Sequence, residues 1–196
     1  NARGVDLNRN FPLPAERTVE MEMAGSSDPS SVRYTGPSPY SEPETQAIRD
    51  FAKQHRFFAA IDFYSNWGTI FPPKCNGSAC EKQFKKMLEP ATAKQSHVKY
   101  AVVAAWQVDS FSGEMEDALF YDFGAMAVCW EIFTQSAGNE QQKDPALRSS
   151  FWSMNPVNIM YWVENDRDAA FAALEKAFEI TGGSPVPENL RKARQK

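Results

Sequence analysis

Two stretches carry side chains suited to chemistry. The first is Gly4-Val5-Asp6-Leu7-Asn8-Arg9-Asn10-Phe11-Pro12, where a polar Asn-Arg-Asn run follows a short apolar segment. Arginine presents a planar fork of donors that matches a carboxylate, and flanking asparagines can hold that fork or add donors to it. A turn whose Arg9 pairs with a surface acid accounts for the same residues. The second is Glu131, in Ala127-Val128-Cys129-Trp130-Glu131-Ile132-Phe133. A carboxylate inside such a run is costly unless it is paired or used as an acid or base. Strand alternation offers the other reading, with Trp130 turned inward and Glu131 turned out to solvent.

The chain around these residues has 196 residues, 42% apolar and 13% aromatic, enough for one domain with a core. Its formal net charge of -4 comes with scattered Lys and Arg, which excludes a basic nucleic-acid face. The short basic cluster from Arg191 to Lys196 reads as a solvated tail. No apolar run is long enough to span a bilayer, and no signal-like segment is visible. The start at Asn1 reads as a processed or truncated product. Of three cysteines, Cys75 and Cys80 bracket a loop that can close as a disulfide, which favours a secreted or other oxidising compartment. Cys129 reads as a buried thiol.

The periodicity predicts the elements that position both stretches. Residues 13–40 are rich in Pro, Ser, Gly and charge and read as a long loop. Ser41 to His55 reads as a helix, with a Ser41–Glu44 capping box, Pro43 in the first turn, and an apolar face of Ala47, Ile48, Phe51 and Ala52. Residues 56–65 form a strand buried on both faces, and the prolines after Phe71 stop regular pairing. Residues 79–94 form a second helix packing Phe84, Met87, Leu88 and Ala91. Residues 100–106 are a second central strand and 126–133 a third. Residues 118–125 form a short helix or turn. A terminal helix over 163–180 buries Phe171, Leu174 and Phe178, and 181–196 is a tail. Helices alternating with apolar strands imply an α/β fold, a mixed central sheet with flanking helices.

Taken together, the sequence resembles the zinc metallocarboxypeptidases of the carboxypeptidase A/B type. The resemblance rests on the GVDLNRNFP stretch, on residues 34–51 before a strand, and on Ser112-Gly113 followed by Asp117. It continues through Glu131 and through residues 155–165, which lead to a last helix; it covers roughly residues 1–180. It implies a carboxypeptidase-like fold. The domain would be incomplete at its N-terminus, with the missing part on an upstream segment or a companion chain. It implies that Asn8 and Arg9 bind the C-terminal carboxylate of a peptide and that Glu131 is the catalytic general base. It also implies that Glu116, just before Asp117, lines the side-chain pocket, where an acid would favour a C-terminal Lys or Arg. Zinc is the cofactor expected of the family.

The metal pattern departs from that family. Its upstream HxxE has no counterpart here, and the only histidines are His55 and His97, both of which read as structural. The in-chain ligand histidine falls on Tyr64 when aligned from the helix, or on Phe63 when counted back from the proline turn. Neither is a histidine, and no metal ligand is assigned. The family's mobile tyrosine falls near Trp106 or Asp109, neither of which supplies a phenol. Two functions follow. One is a metallocarboxypeptidase-like domain that hydrolyses the C-terminal residue of peptides when complete. The other is an inactive pseudo-carboxypeptidase that binds peptides or proteins, or serves as a structural module.

Overall fold

In a computed structural model, the structure describes residues 1–12, 25–75, 78–103 and 113–191. The elements in chain order are α1 (Pro43–His55), β1 (Ala59–Ser65), β2 (Trp67–Phe71), α2 (Ser78–Lys94), β3 (Ala101–Val102), α3 (Met115–Tyr121), β4 (Met126–Thr134), α4 (Gln135–Gln141), α5 (Ser150–Met154), α6 (Ile159–Thr181) and α7 (Glu188–Arg191). A 3-10 turn over Leu7–Arg9 precedes them, its first turn capped by Asp6, whose side chain accepts from the Asn8 amide.

The sheet order is β1-β4-β2-β3, with β4 parallel to β1 and antiparallel to β2, and β2 parallel to β3. This is the mixed central sheet with flanking helices expected from the sequence. The period of two along β4 assigns its side chains. Met126, Val128 and Trp130 face a layer built from α2 and α6, where Phe84, Met87, Leu88, Ala91, Ala169, Ala173 and Ala177 are all buried. Ala127 faces the other side, against Ala52 and Ile48 of α1 and Leu119 and Met115 of α3.

Several expected details differ. The capping box at α1 does not form: Glu42 is the N-cap, without a side-chain cap bond, and Ser41 Oγ donates to Glu42 Oε1 at 2.8 Å. Thr45 and Ala52 are the buried residues of α1, while Phe51 is 55% exposed and lies against His55 and Phe57. In α6 the buried stripe is Ala169, Ala173 and Ala177, and Phe171 and Phe178 are exposed. Small residues let that helix lie close on the sheet, where phenylalanines would hold it away. Among the described residues β1 lies at the sheet edge rather than buried on both faces, and Phe63 is exposed. The pairing of β2 does end at Phe71, before the prolines, as expected. The strand expected over 100–106 is seen as two edge residues, and residues 104–106 lie outside the described part, as do 13–24 of the long loop, 76–77 and 192–196. Within the stretch read as a tail, Val186 is buried and its amide donates to Gly124 O at 2.8 Å.

A buried polar hub ties the layers together. Asp166 of α6 accepts from Gln95 Nε2 (3.0 Å), Trp130 Nε1 (3.1 Å) and Tyr100 Oη (2.9 Å). The neighbouring Asn165 Oδ1 accepts from the amides of His97 and Val98. Cys75 and Cys80 form a disulfide, and Cys129 is a buried free thiol, both as expected.

Candidate functional site

The Asn-Arg-Asn run is fixed by its second asparagine. Asn10 is fully buried. Its Nδ2 donates to Thr35 O (2.8 Å), Ser38 O (3.0 Å) and Ser41 Oγ (2.9 Å), and its Oδ1 accepts from Thr45 Oγ1 (2.7 Å) and the Glu42 amide (3.3 Å). One side chain thus fastens the turn to the loop before α1 and to the helix start. Of the two roles the sequence leaves open for the flanking asparagines, holding the fork or adding donors to it, the burial of Asn10 gives it a structural one.

The turn is fixed from its other side by residues 113–115. Phe11 N donates to Gly113 O (3.0 Å), and Met115 N donates to Asn8 Oδ1 (3.0 Å). Gly113 has φ +74°, and a Cβ there would lie 2.5 Å from Arg9 O and 2.8 Å from Phe11 O. Only glycine permits this approach. The Gly113–Asp117 stretch and the Asn-Arg-Asn run, singled out separately in the sequence, are therefore one contact.

Between them lies a cavity of about 200 Å³ lined by Asp6, Asn8, Arg9, Tyr64, Phe71, Glu114, Cys129 and Glu131. Three of the expected site residues, Asn8, Arg9 and Glu131, meet here. Glu131 and Trp130 do point to opposite faces of β4, as alternation requires, and Trp130 is fully buried. The face opposite Trp130, however, is the cavity rather than open solvent. Burial pushes the Glu131 carboxyl up to about 7. Its Oε2 is buried and has no hydrogen-bond partner among the described residues.

Tyr64 is the cross-strand partner of Glu131 in the parallel β1–β4 ladder. Of the two residues on which the sequence places the family's ligand histidine, Tyr64 lines the cavity and Phe63 points to the opposite face, with its ring 6.2 Å from that of Trp130. Burial, followed by the nearby Asp62 carboxylate, raises the Tyr64 phenol far above its ordinary range. Asp62 is itself pushed up to about 6, chiefly by burial.

Glu116 does not line this cavity. It is buried within α3, and burial, with Glu114 and Asp117 nearby, raises its carboxyl well above the usual range. Asp117 Oδ1 accepts from the Lys74 amide at 2.9 Å. Among the described residues the acid that reaches Arg9 is Glu114, with its Oε1 3.6 Å from Nη1; the same Nη1 donates to Asn8 O at 2.6 Å. Glu116, expected from its place before Asp117 to line the side-chain pocket, stays within α3, and the reversal at Gly113 brings Glu114 to Arg9. Ser112, Trp106 and Asp109 lie outside the described residues.

The zinc carboxypeptidase family model matches residues 1–140, and the chain belongs to that family. Among solved structures, it resembles thrombin-activatable fibrinolysis inhibitor, with 21% identity over 90% of this chain and 42% of the other, at a TM-score of 0.65. A bovine thrombin-activatable fibrinolysis inhibitor in complex with a tick carboxypeptidase inhibitor gives 21% identity over 90% and 56% of the two chains, at 0.62. Carboxypeptidase A from Helicoverpa armigera gives 23% identity over 90% and 40%, at 0.56. These likenesses establish the fold, and the chain spans about half or less of each of those proteins. No curated protein sequence matches it.

The described residues around this cavity do not fit the family's zinc. Among the described residues, no group of three or more His, Cys, Asp or Glu side chains is placed to hold a metal ion. The cavity offers carboxylates, a thiol and a phenol whose proton burial retains, and no imidazole; structural and catalytic zinc sites are built mainly on imidazole and thiolate. His55 sits among Phe51 and Phe57. His97 stacks on Tyr161 at 4.1 Å and lies 3.5 Å from Glu164.

Proposed function

We propose that this domain is a pseudo-carboxypeptidase, a carboxypeptidase-like module that engages the C-terminal end of a peptide or protein without cutting it. The observation that carries this reading is Tyr64 beside Glu131. A protonated phenol lines the cavity at one of the two positions on which the family resemblance places an imidazole ligand, and the other, Phe63, cannot bind a metal. In this reading Asn8 and Arg9 anchor a terminal carboxylate, Glu131 is a base left without a metal-activated water, and Glu116 is a buried acid behind the floor. Two results support it together: a purified chain that carries no zinc by elemental analysis while folded, and titrations in which free-acid peptides bind and remain uncut. Stoichiometric zinc with release of C-terminal residues would overturn it.

One observation favours the second reading, a domain that hydrolyses peptides, with a preference for basic C-terminal residues, when completed by a further segment. Glu131 has a carboxyl near 7 with a buried oxygen facing the cavity, as a general base would.

A companion chain or upstream segment is also part of the proposal. Among the described residues β1 pairs on one side only, with β4. Next to it, Phe63, Ile159, Val163, Phe171 and Phe178 are exposed. An open strand edge beside an apolar stripe is a surface that proteins normally cover. No helix of the described residues is long and apolar enough to cross a membrane. The Cys75–Cys80 disulfide supports a secreted or other oxidising compartment.

A further inference from the structure

Arg9 does not wait in an empty fork. Its guanidinium is 11% exposed and faces the Glu114 carboxylate, itself 7% exposed, at 3.6 Å. Glu114 is held there by its neighbours on both sides: Gly113 O accepts from Phe11 N, and Met115 N donates to Asn8 Oδ1. The close approach of Gly113 to the backbone of Arg9 leaves the segment no room to shift toward the turn. The backbone therefore delivers this carboxylate to Arg9 with little conformational freedom left to lose. The Asn8 carboxamide oxygen is engaged by the same segment, so both residues of the expected anchor are held by residues 113–115. Two further acids, Asp6 and Glu131, line the cavity, and among the described residues no second cation does.

We propose that Glu114 is an internal carboxylate that occupies the Arg9 anchor and excludes the terminal carboxylate of a peptide until it is displaced. The proposal rests on the reading of Asn8 and Arg9 as a carboxylate anchor and adds its control. An external carboxylate competes with one tethered at high effective concentration, and enters a low-dielectric site beside three acids. Binding of free-acid peptides by the wild-type chain is thus weak and shows little preference over the amides. Opening the anchor requires movement of the 113–115 segment, or loss of the charge on Glu114.

The test uses the full chain and the variants Glu114→Gln, Glu114→Ala, Arg9→Gln and Arg9→Gln with Glu114→Gln. Each is titrated calorimetrically with one short peptide as free acid and as C-terminal amide. Both Glu114 variants are expected to raise the acid-over-amide preference roughly ten- to a hundredfold, the worth of a charge-assisted hydrogen bond. Adding Arg9→Gln should abolish that gain. A wild-type chain that already shows such a preference, or Glu114 variants that leave an existing preference unchanged, would overturn the proposal and leave the anchor reading standing. Urea unfolding of the same variants forms a double-mutant cycle that needs no peptide. Additive losses would overturn the Arg9–Glu114 contact. Non-additive losses without peptide preference in any variant would uphold Glu114 on Arg9 and refute the anchor reading.

Discussion

Tyr64 and Glu131 face each other across the β1–β4 ladder and line one cavity. The phenol is kept protonated by burial, and the carboxyl is raised toward neutrality by the same cause. A pair of this kind offers a hydrogen-bonding wall and little affinity for a divalent cation. Zinc titration of the purified chain, followed by calorimetry, is expected to show no tight one-to-one site. A stoichiometric site surviving extensive dialysis would contradict the reading of the cavity.

The same burial predicts a pH dependence of stability. Glu131 and Asp62 have folded-state carboxyls near 7 and 6, above their ordinary values of 4.5 and 3.8. In the window between those values the folded state binds more protons than the unfolded one. Stability from these two groups is therefore highest in acid and is lost as pH rises from about 4 to about 7. Glu131→Gln should flatten that slope and raise the urea midpoint at pH 8 relative to the wild type. A variant that loses stability at pH 8 while keeping the slope would show that Glu131 is not the group responsible.

Asn10 and Asp166 are the two polar clasps of the domain. Removing either side chain strands several buried donors or acceptors, each worth about 1–3 kcal/mol. Asn10→Ala is expected to cost roughly 3 kcal/mol and to loosen the Leu7–Arg9 turn, read as faster amide exchange there. Asp166→Ala should cost a similar amount, about 3 kcal/mol, through Gln95, Trp130 and Tyr100. Losses below about 1 kcal/mol in urea unfolding would mean that these groups find other partners.

Gly113→Ala should be worse than an ordinary loop substitution. Its positive φ costs about 1–2 kcal/mol for any residue with a Cβ, and the Cβ would collide with the Arg9 carbonyl. The expected result is a loss of about 2 kcal/mol or more together with displacement of Arg9. The measurement is chemical denaturation with a crystal structure of the variant. An unchanged Arg9 position would place the tolerance in residues 113–115 rather than in the turn.

Much of this was legible in the residues themselves. The apolar run of β4 identified the central strand, and Phe84, Met87, Leu88 and Ala91 at helical spacing gave the buried face of α2. The Asn8-Arg9 pair, Glu131 and the Cys75–Cys80 loop were each visible because chemistry and spacing are local properties of a sequence. The buried stripe of α6 was misread because size was taken for burial. Three alanines allow a helix to lie close to a sheet, and the phenylalanines beside them remain outside.

What the sequence by itself determined was the set of groups and the two faces of β4, since a strand's period of two needs no partner to operate. Tertiary structure decided what each face meets. Alternation set Glu131 opposite Trp130, but only the packing of the Asn8–Arg9 turn over β4 made that side a cavity. Parallel register, not spacing along the chain, chose Tyr64 over Phe63 as the neighbour of Glu131. The left-handed turn at Gly113 set Glu114 against Arg9, while Glu116, expected to line the side-chain pocket, lies buried in α3. Such choices depend on contacts between segments far apart in the chain, and local periodicity carries no information about them.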